Sequence, residues 1–269
     1  MTHMRMRIVL AGTAIGTVTG VGLSRVARWR RMWGVDPSEA AKPLRGDDLV
    51  PVTTAVETRG ITIDAPPEAV WPWLLQMGYG RGGWYSYDQL DMGGTSAVTL
   101  KPEWATLAVG DIMPTSPGTG FEVKAVEPGG SLVLFTDTAL VESQAASAGP
   151  ESVPPGLAAT GAFLGTAPQD FSASWAFVLE PLDGGRTRLI ERFRVRFGNG
   201  GPQFRIIGPI MGFGVFVMMR RQMLGIRDRA VLTAVAPRLS DETTEKQQHT
   251  AANGRALEPA GRTEVLASA

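Results

Sequence analysis

The periodicity of apolar residues changes several times along this chain, and each change predicts a different element. Residues 8–24 (IVLAGTAIGTVTGVGLS) are uncharged and bounded by Arg7 and Arg25. As a helix at about 1.5 Å per residue they reach about 25 Å, a little short of the roughly 30 Å hydrocarbon core, and flanking arginines can snorkel to cover the difference. The stretch predicts a membrane anchor. Gly12, Gly16 and Gly20 recur every fourth residue, on one helix face where another helix can approach closely, which suggests a homodimer. The rival reading is a cleaved signal peptide. The run Ser24-Arg25-Val26-Ala27-Arg28-Trp29-Arg30-Arg31 offers no small-x-small site and looks like a basic, Trp-bearing interfacial flank. Its four arginines outnumber Arg5 and Arg7, which places the following domain on the cytoplasmic side.

Residues 1–35 are thus read as anchor and flank, and 36–49 as a linker containing a short helix and a turn. From 50 to 237 the pattern is that of one domain. Residues 57–63 alternate as a strand, and Pro67 opens a helix to Met77 whose Val70, Trp73, Leu74 and Met77 share one face. A second short helix is expected over 86–90. Strand patterns at 107–113, 121–126 and 131–137 are separated by proline and glycine, as in an antiparallel meander. Residues 139–170 show no period and read as a long loop. Strands return at 172–179 and 187–197 around Asp183-Gly184-Gly185, followed by a long helix over 209–236 and a polar, unstructured tail over 238–269. The sum is an α+β fold: a curved antiparallel sheet wrapped on a long C-terminal helix, with a cavity between them.

Composition removes whole classes of chemistry. Of 269 residues 43% are hydrophobic and 19% charged, which is ordinary for a globular core, and the formal net charge is zero, which gives no basis for nucleic-acid binding. There is no cysteine, so thiolate and disulfide chemistry are excluded. The two histidines, His3 and His249, lie in the terminal segments, so the domain has no histidine for a triad or a metal site. No metal and no cofactor are expected.

At residues 61–71 (ITIDAPPEAVW) the chain resembles the opening strand and helix of the START/Bet v1-like (SRPBCC, polyketide cyclase-like) superfamily. Residues 71–91 (WPWLLQMGYGRGGWYSYDQLD) are similar to a bacterial, actinobacterial-type subgroup of it. Trp175, Phe177 and Leu179 with Arg186-Thr187-Arg188-Leu189 match its paired late strands, and the run from Phe216 to Ile226 matches its last helix. The resemblance implies a helix-grip fold with a hydrophobic cavity, and no single activity. The anchor and the 139–170 insertion depart from the compact soluble members.

Three functions compete. A membrane-tethered domain could bind a hydrophobic small molecule or lipid, with Trp84, Tyr85, Tyr87, Trp104, Trp175, Phe193, Phe213, Val217 and Met218 around the cavity. A cyclase- or dehydratase-type enzyme would use Glu191, Asp88 or Tyr85 as acid or base. An interaction module would have its cavity filled. Glu191 stands out because, with Arg192 and Arg194 pointing to solvent, it faces inward with Phe193. It is then either paired within the sheet, for instance with Arg188 or Arg81, or a carboxyl of raised pKa. Trp84 and Tyr85 could equally serve only to pack the helix pair on the sheet. Residues 206–219 are uncharged but too few to span a bilayer, so they are buried in the grip or lie in the interface.

Overall fold

The computed structural model describes residues 25–89, 95–148, 170–198 and 212–236. The chain divides into two compact units, Met1–Val231 and Leu232–Ala269, and the fold described is that of the first. The expected anchor, the glycines at 12, 16 and 20, and the tail lie outside the described residues. Among the described residues no helix is long and apolar enough to cross a membrane.

The element order is α1 (25–31), α2 (Pro37–Ala41), β1 (Ala55–Ile63), α3 (Pro67–Leu75), β2 (Ile112–Ser116), β3 (Thr119–Glu127), β4 (Ser131–Asp137), α4 (Thr138–Ala148), β5 (Phe171–Leu182), β6 (Arg186–Phe197) and α5 (212–236). The strands form one six-stranded antiparallel sheet in the order β1-β6-β5-β4-β3-β2. Short turns join β2 to β3, β3 to β4 and β5 to β6, the longer connection from β4 to β5 carries α4, and β1 closes the far edge by pairing Arg59 with Glu191 and Ile61 with Leu189. Register shifts between Pro114 and Ser116, and between Val123 and Ala125, bend the β2–β3 end. The sheet is curved, as expected.

Alternation gives each strand two faces. On the inner face lie Ile61 and Ile63 of β1, Leu132 and Leu134 of β4, Trp175, Phe177 and Leu179 of β5, and Leu189 and Glu191 of β6, all buried. Helix α5 buries Phe216, Met219, Met223, Ile226 and Ala230, spaced by three or four residues as one helix stripe requires. Removing each of the larger ones from water is worth about 1.5–3 kcal/mol.

The outer face is covered too, which corrects the expectation that Arg192 and Arg194 point to solvent. The 36–49 segment, read as a linker, lies against the sheet. Arg192, 3% exposed, donates to Asp47 Oδ2 at 2.7 Å, to the carbonyls of Lys42 and Ala40, and to Thr58 Oγ1. Arg194 donates to the Val50 carbonyl, and Arg188 holds Glu39 at 2.7 Å. Gly34 carries φ +75°, and a Cβ there would fall 2.0 Å from the Gly60 carbonyl oxygen, so this approach of chain to strand requires glycine. The basic flank also enters the fold: Trp29 meets Phe216 edge to face at 5.2 Å, and Arg30 lies 3.6 Å from Glu57.

Two further expectations fail. Residues 138–148 are helical rather than loop: the Asp137 carboxylate accepts from the Leu140 N–H at 2.8 Å, and the alanine-rich run TALVESQAASA needs no apolar stripe to be helical. Residues 149–169 of the expected loop lie outside the described residues. Conversely, 86–89 form bends and a turn instead of a helix. Asp88 there accepts from both Ser96 Oγ and Ser96 N, at 2.6 and 3.1 Å, so its carboxylate closes a loop instead of capping a helix.

Candidate functional site

Between the inner face and α5 lies a cleft of about 270 Å³. Trp84, Trp175, Phe193 and Met218 line it, as the sequence suggested. So do Ser86, Thr115, Phe121, Val215, Met219 and Gln222, which sequence reasoning missed. Phe121 and Met219 carried a readable signal, since each sits on the apolar face of a predicted element. Thr115 did not, because its place depends on the β2 bulge.

Trp175 is the hub. It stacks on Trp84 with centroids 5.5 Å apart and planes 19° apart, and it meets Phe121 at 5.7 Å and Phe193 at 6.1 Å edge to face. Cross-strand pairing puts Trp175 opposite both Phe193 and Leu134, which fixes its ring to the inner face. Its indole N–H donates to Glu191 Oε1 at 2.7 Å. The walls are therefore aromatic and tied to the sheet.

The remaining predicted positions lie elsewhere. Tyr85 is buried between α3 and α5: its hydroxyl donates to the Trp73 carbonyl at 3.1 Å, its ring meets Trp73 at 5.8 Å, and the Arg229 guanidinium sits 4.5 Å above it. Burial raises the Tyr85 hydroxyl pKa, so it has no tendency to act as a base. Helix α5 reaches it because residue 225 is glycine; a Cβ there would fall 2.2 Å from the Tyr85 carbonyl oxygen. Asp88 fastens Ser96, whose Oγ accepts from the Tyr85 N–H at 3.0 Å. Tyr87 and Phe213 are exposed, and Val217 and Trp104 are partly buried, and none of the four lines the cleft. On α5 the cleft takes Val215, Met218, Met219 and Gln222, a face turned away from 213 and 217.

Glu191 is fully buried and faces inward, as expected. Its neighbours are not the arginines anticipated: Arg188 is engaged on the outer face, and Arg81 donates to the carbonyls of Met77 and Leu75. Directly across on β1 stands Arg59, also fully buried, which pairs with Glu57 and contacts Met219 Sδ at 3.1 Å. Period-2 alternation already placed Glu57 and Arg59 on the face of Ile61 and Ile63, so this buried pair was legible and overlooked. Burial pushes the Glu191 carboxyl up to about 7, while Arg59, the Trp175 N–H bond and Glu57 modify that rise, the first two downward and the last upward. Its Oε2 has no hydrogen-bond partner among the described residues. Glu191 does not line the cleft but is hydrogen-bonded to Trp175, which does.

Among the described residues lining the cleft none is titratable. Its polar groups are Ser86, Thr115 and Gln222. Among the described residues no group of acidic, cysteine or histidine side chains is arranged to hold a metal.

No protein-family profile matches the chain, and no curated protein matches it. Solved structures do resemble it at the level of the chain trace. A protein from Mesorhizobium loti is 18% identical over 65% of this chain and 96% of its own, with a TM-score of 0.33. A conserved protein from Geobacillus kaustophilus is 15% identical over 64% of this chain and 91% of its own, at 0.34. A polyketide_cyc-like protein from Corynebacterium glutamicum is 18% identical over 70% of this chain and 94% of its own, at 0.25. At such scores these likenesses assign neither a family nor an activity.

Proposed function

We propose that this protein binds an apolar small molecule in the cleft between its sheet and its C-terminal helix, as a helix-grip domain of the START/Bet v1-like kind. The observation that carries the reading is the character of the cleft: about 270 Å³ walled by Trp84, Trp175, Phe121, Phe193 and methionines, with no titratable group among its described lining residues. Space of that kind favours an apolar guest, because water there finds few partners. The methionines at 218 and 219 adapt to guests of different outline. Acid–base catalysis at Glu191 gains no support, because the carboxyl is not among the residues that line the cleft.

Methyl-labelled methionine provides the test. Titration with naphthalene is expected to shift the Met218 and Met219 methyl resonances and to leave Met32, on the N-terminal segment, unmoved. If the Met218 and Met219 signals stay in place, the binding reading fails.

The same reading includes a tether through residues 8–24, with the domain on the cytoplasmic side. Its support is the sequence alone: seventeen uncharged residues between arginines. Full-length chain is expected in the membrane fraction after carbonate washing, and a chain beginning at residue 25 in the supernatant. Full-length protein in the supernatant would refute the tether without touching the cleft.

A further inference from the structure

The cleft's two hydroxyls have already committed their protons. A hydroxyl has one hydrogen to give and an oxygen that can still accept. Ser86 gives its hydrogen to the Met218 carbonyl at 2.9 Å, and Thr115 gives its hydrogen to the Thr119 carbonyl at 3.3 Å. Gln222, 2% exposed, turns its amide nitrogen to Met77 Sδ at 3.6 Å. Sulfur accepts weakly and a thioether cannot donate, so the nitrogen belongs on that side and the carbonyl oxygen on the other. Of the two, Gln222 lines the cleft and Met77 does not. The result is an apolar chamber that offers hydrogen-bond acceptors, of which the Gln222 carbonyl is the strongest and has no partner among the described residues.

We propose that the cleft selects uncharged apolar molecules bearing a hydrogen-bond donor, phenols or alcohols, with Gln222 receiving that donor, and that it rejects carboxylates. This rests on the cleft being a binding site at all. A carboxylate would enter without a cation to meet it: Arg59, which pairs with Glu57, is not among the residues that line the cleft. It would also meet two hydroxyls whose hydrogens are already given to backbone carbonyls. Burying an unpaired carboxylate is costly, and Glu191 behind Trp175 adds a further acidic group on that side. A bare hydrocarbon is admitted but leaves the Gln222 carbonyl without a partner.

Three probes of one shape separate these cases: 2-naphthol, naphthalene and 2-naphthoate, titrated into the full chain at pH 7.5 and read from the Met218 and Met219 methyl resonances. The expected order is 2-naphthol about five- to tenfold tighter than naphthalene, the worth of one hydrogen bond, with 2-naphthoate without effect on these signals. Gln222→Met keeps the unbranched shape beside Met77 while removing the acceptor, and is expected to bring 2-naphthol down to the affinity of naphthalene. Equal affinities for naphthol and naphthalene in the natural chain, or tightest binding of the naphthoate, overturn the selectivity. A preference for naphthol that persists in Gln222→Met overturns the role of Gln222. Failure of all three probes strikes at the cleft itself, a distinct result.

Discussion

Glu191 is the residue at which burial and charge conflict most openly. Its carboxyl is wholly out of water, holds one indole N–H, and leaves Oε2 unpartnered among the described residues. A carboxyl raised from 4.5 to about 7 by burial binds its proton more tightly in the folded chain than in the unfolded one. Its contribution to stability is therefore full below about pH 4.5 and is lost as pH rises through about 7. Glu191→Gln keeps the shape and removes the titration. Urea unfolding is expected to show the natural chain losing up to about 3 kcal/mol relative to this variant between pH 4.5 and 8, since each tenfold gain in proton affinity is worth about 1.4 kcal/mol. Parallel pH profiles would show that Glu191 does not titrate in that window. Inward orientation of Glu191 was readable from strand alternation, but the residue that stands opposite it was not. Register between β1 and β6, which opposes Arg59 to Glu191, is a tertiary fact that no local pattern encodes.

At the level of elements, approach distances decide more than propensity does. Gly225 sits within α5, where alanine ordinarily gains about 1 kcal/mol. Here the added Cβ would fall 2.2 Å from the Tyr85 carbonyl oxygen and 2.8 Å from its Cβ, and the backbone cannot yield as a flexible side-chain tip could. Gly225→Ala is accordingly expected to destabilise by about 1–3 kcal/mol in thermal unfolding, the range for an overpacked contact. A stabilised variant would show that α5 does not press on Tyr85. Long strands and α3 were legible because their periods are strong and their ends are marked by Pro67 and by the Asp183-Gly184-Gly185 turn. Helix α4 was not, since its alanine- and serine-rich run has no apolar stripe to reveal it. The expected helix at 86–90 failed for the opposite reason: Tyr85 at φ +57° and the grip of Asp88 on Ser96 impose a loop that a short polar-aromatic run does not announce.

In the first unit as a whole, a single sheet carries two unlike coverings. Its outer face is held by arginines of β6 locked to the 36–50 segment, so the segment first read as a linker belongs to the folded unit. Its inner face leaves the α5 stripe room for a guest. The α+β class and a hydrophobic cleft under the last helix were legible from the order and period of the elements. Which side of α5 faces that cleft was not, because Phe213 and Val217 share the apolar run with Val215 and Met218, and a helix apolar on all sides does not declare its orientation. Val215 offers the most direct control over occupancy. It lines the cleft and is 41% exposed, so a larger side chain can fill the cleft from its rim without crowding the packed core. Organic extraction and mass spectrometry of the purified natural chain and of Val215→Trp, matched for thermal stability, therefore tests the central claim. The account predicts an apolar small molecule recovered with the natural chain and depleted at least tenfold in the variant, a loss of about 1.4 kcal/mol or more in binding. Natural protein that yields nothing above the variant would contradict it.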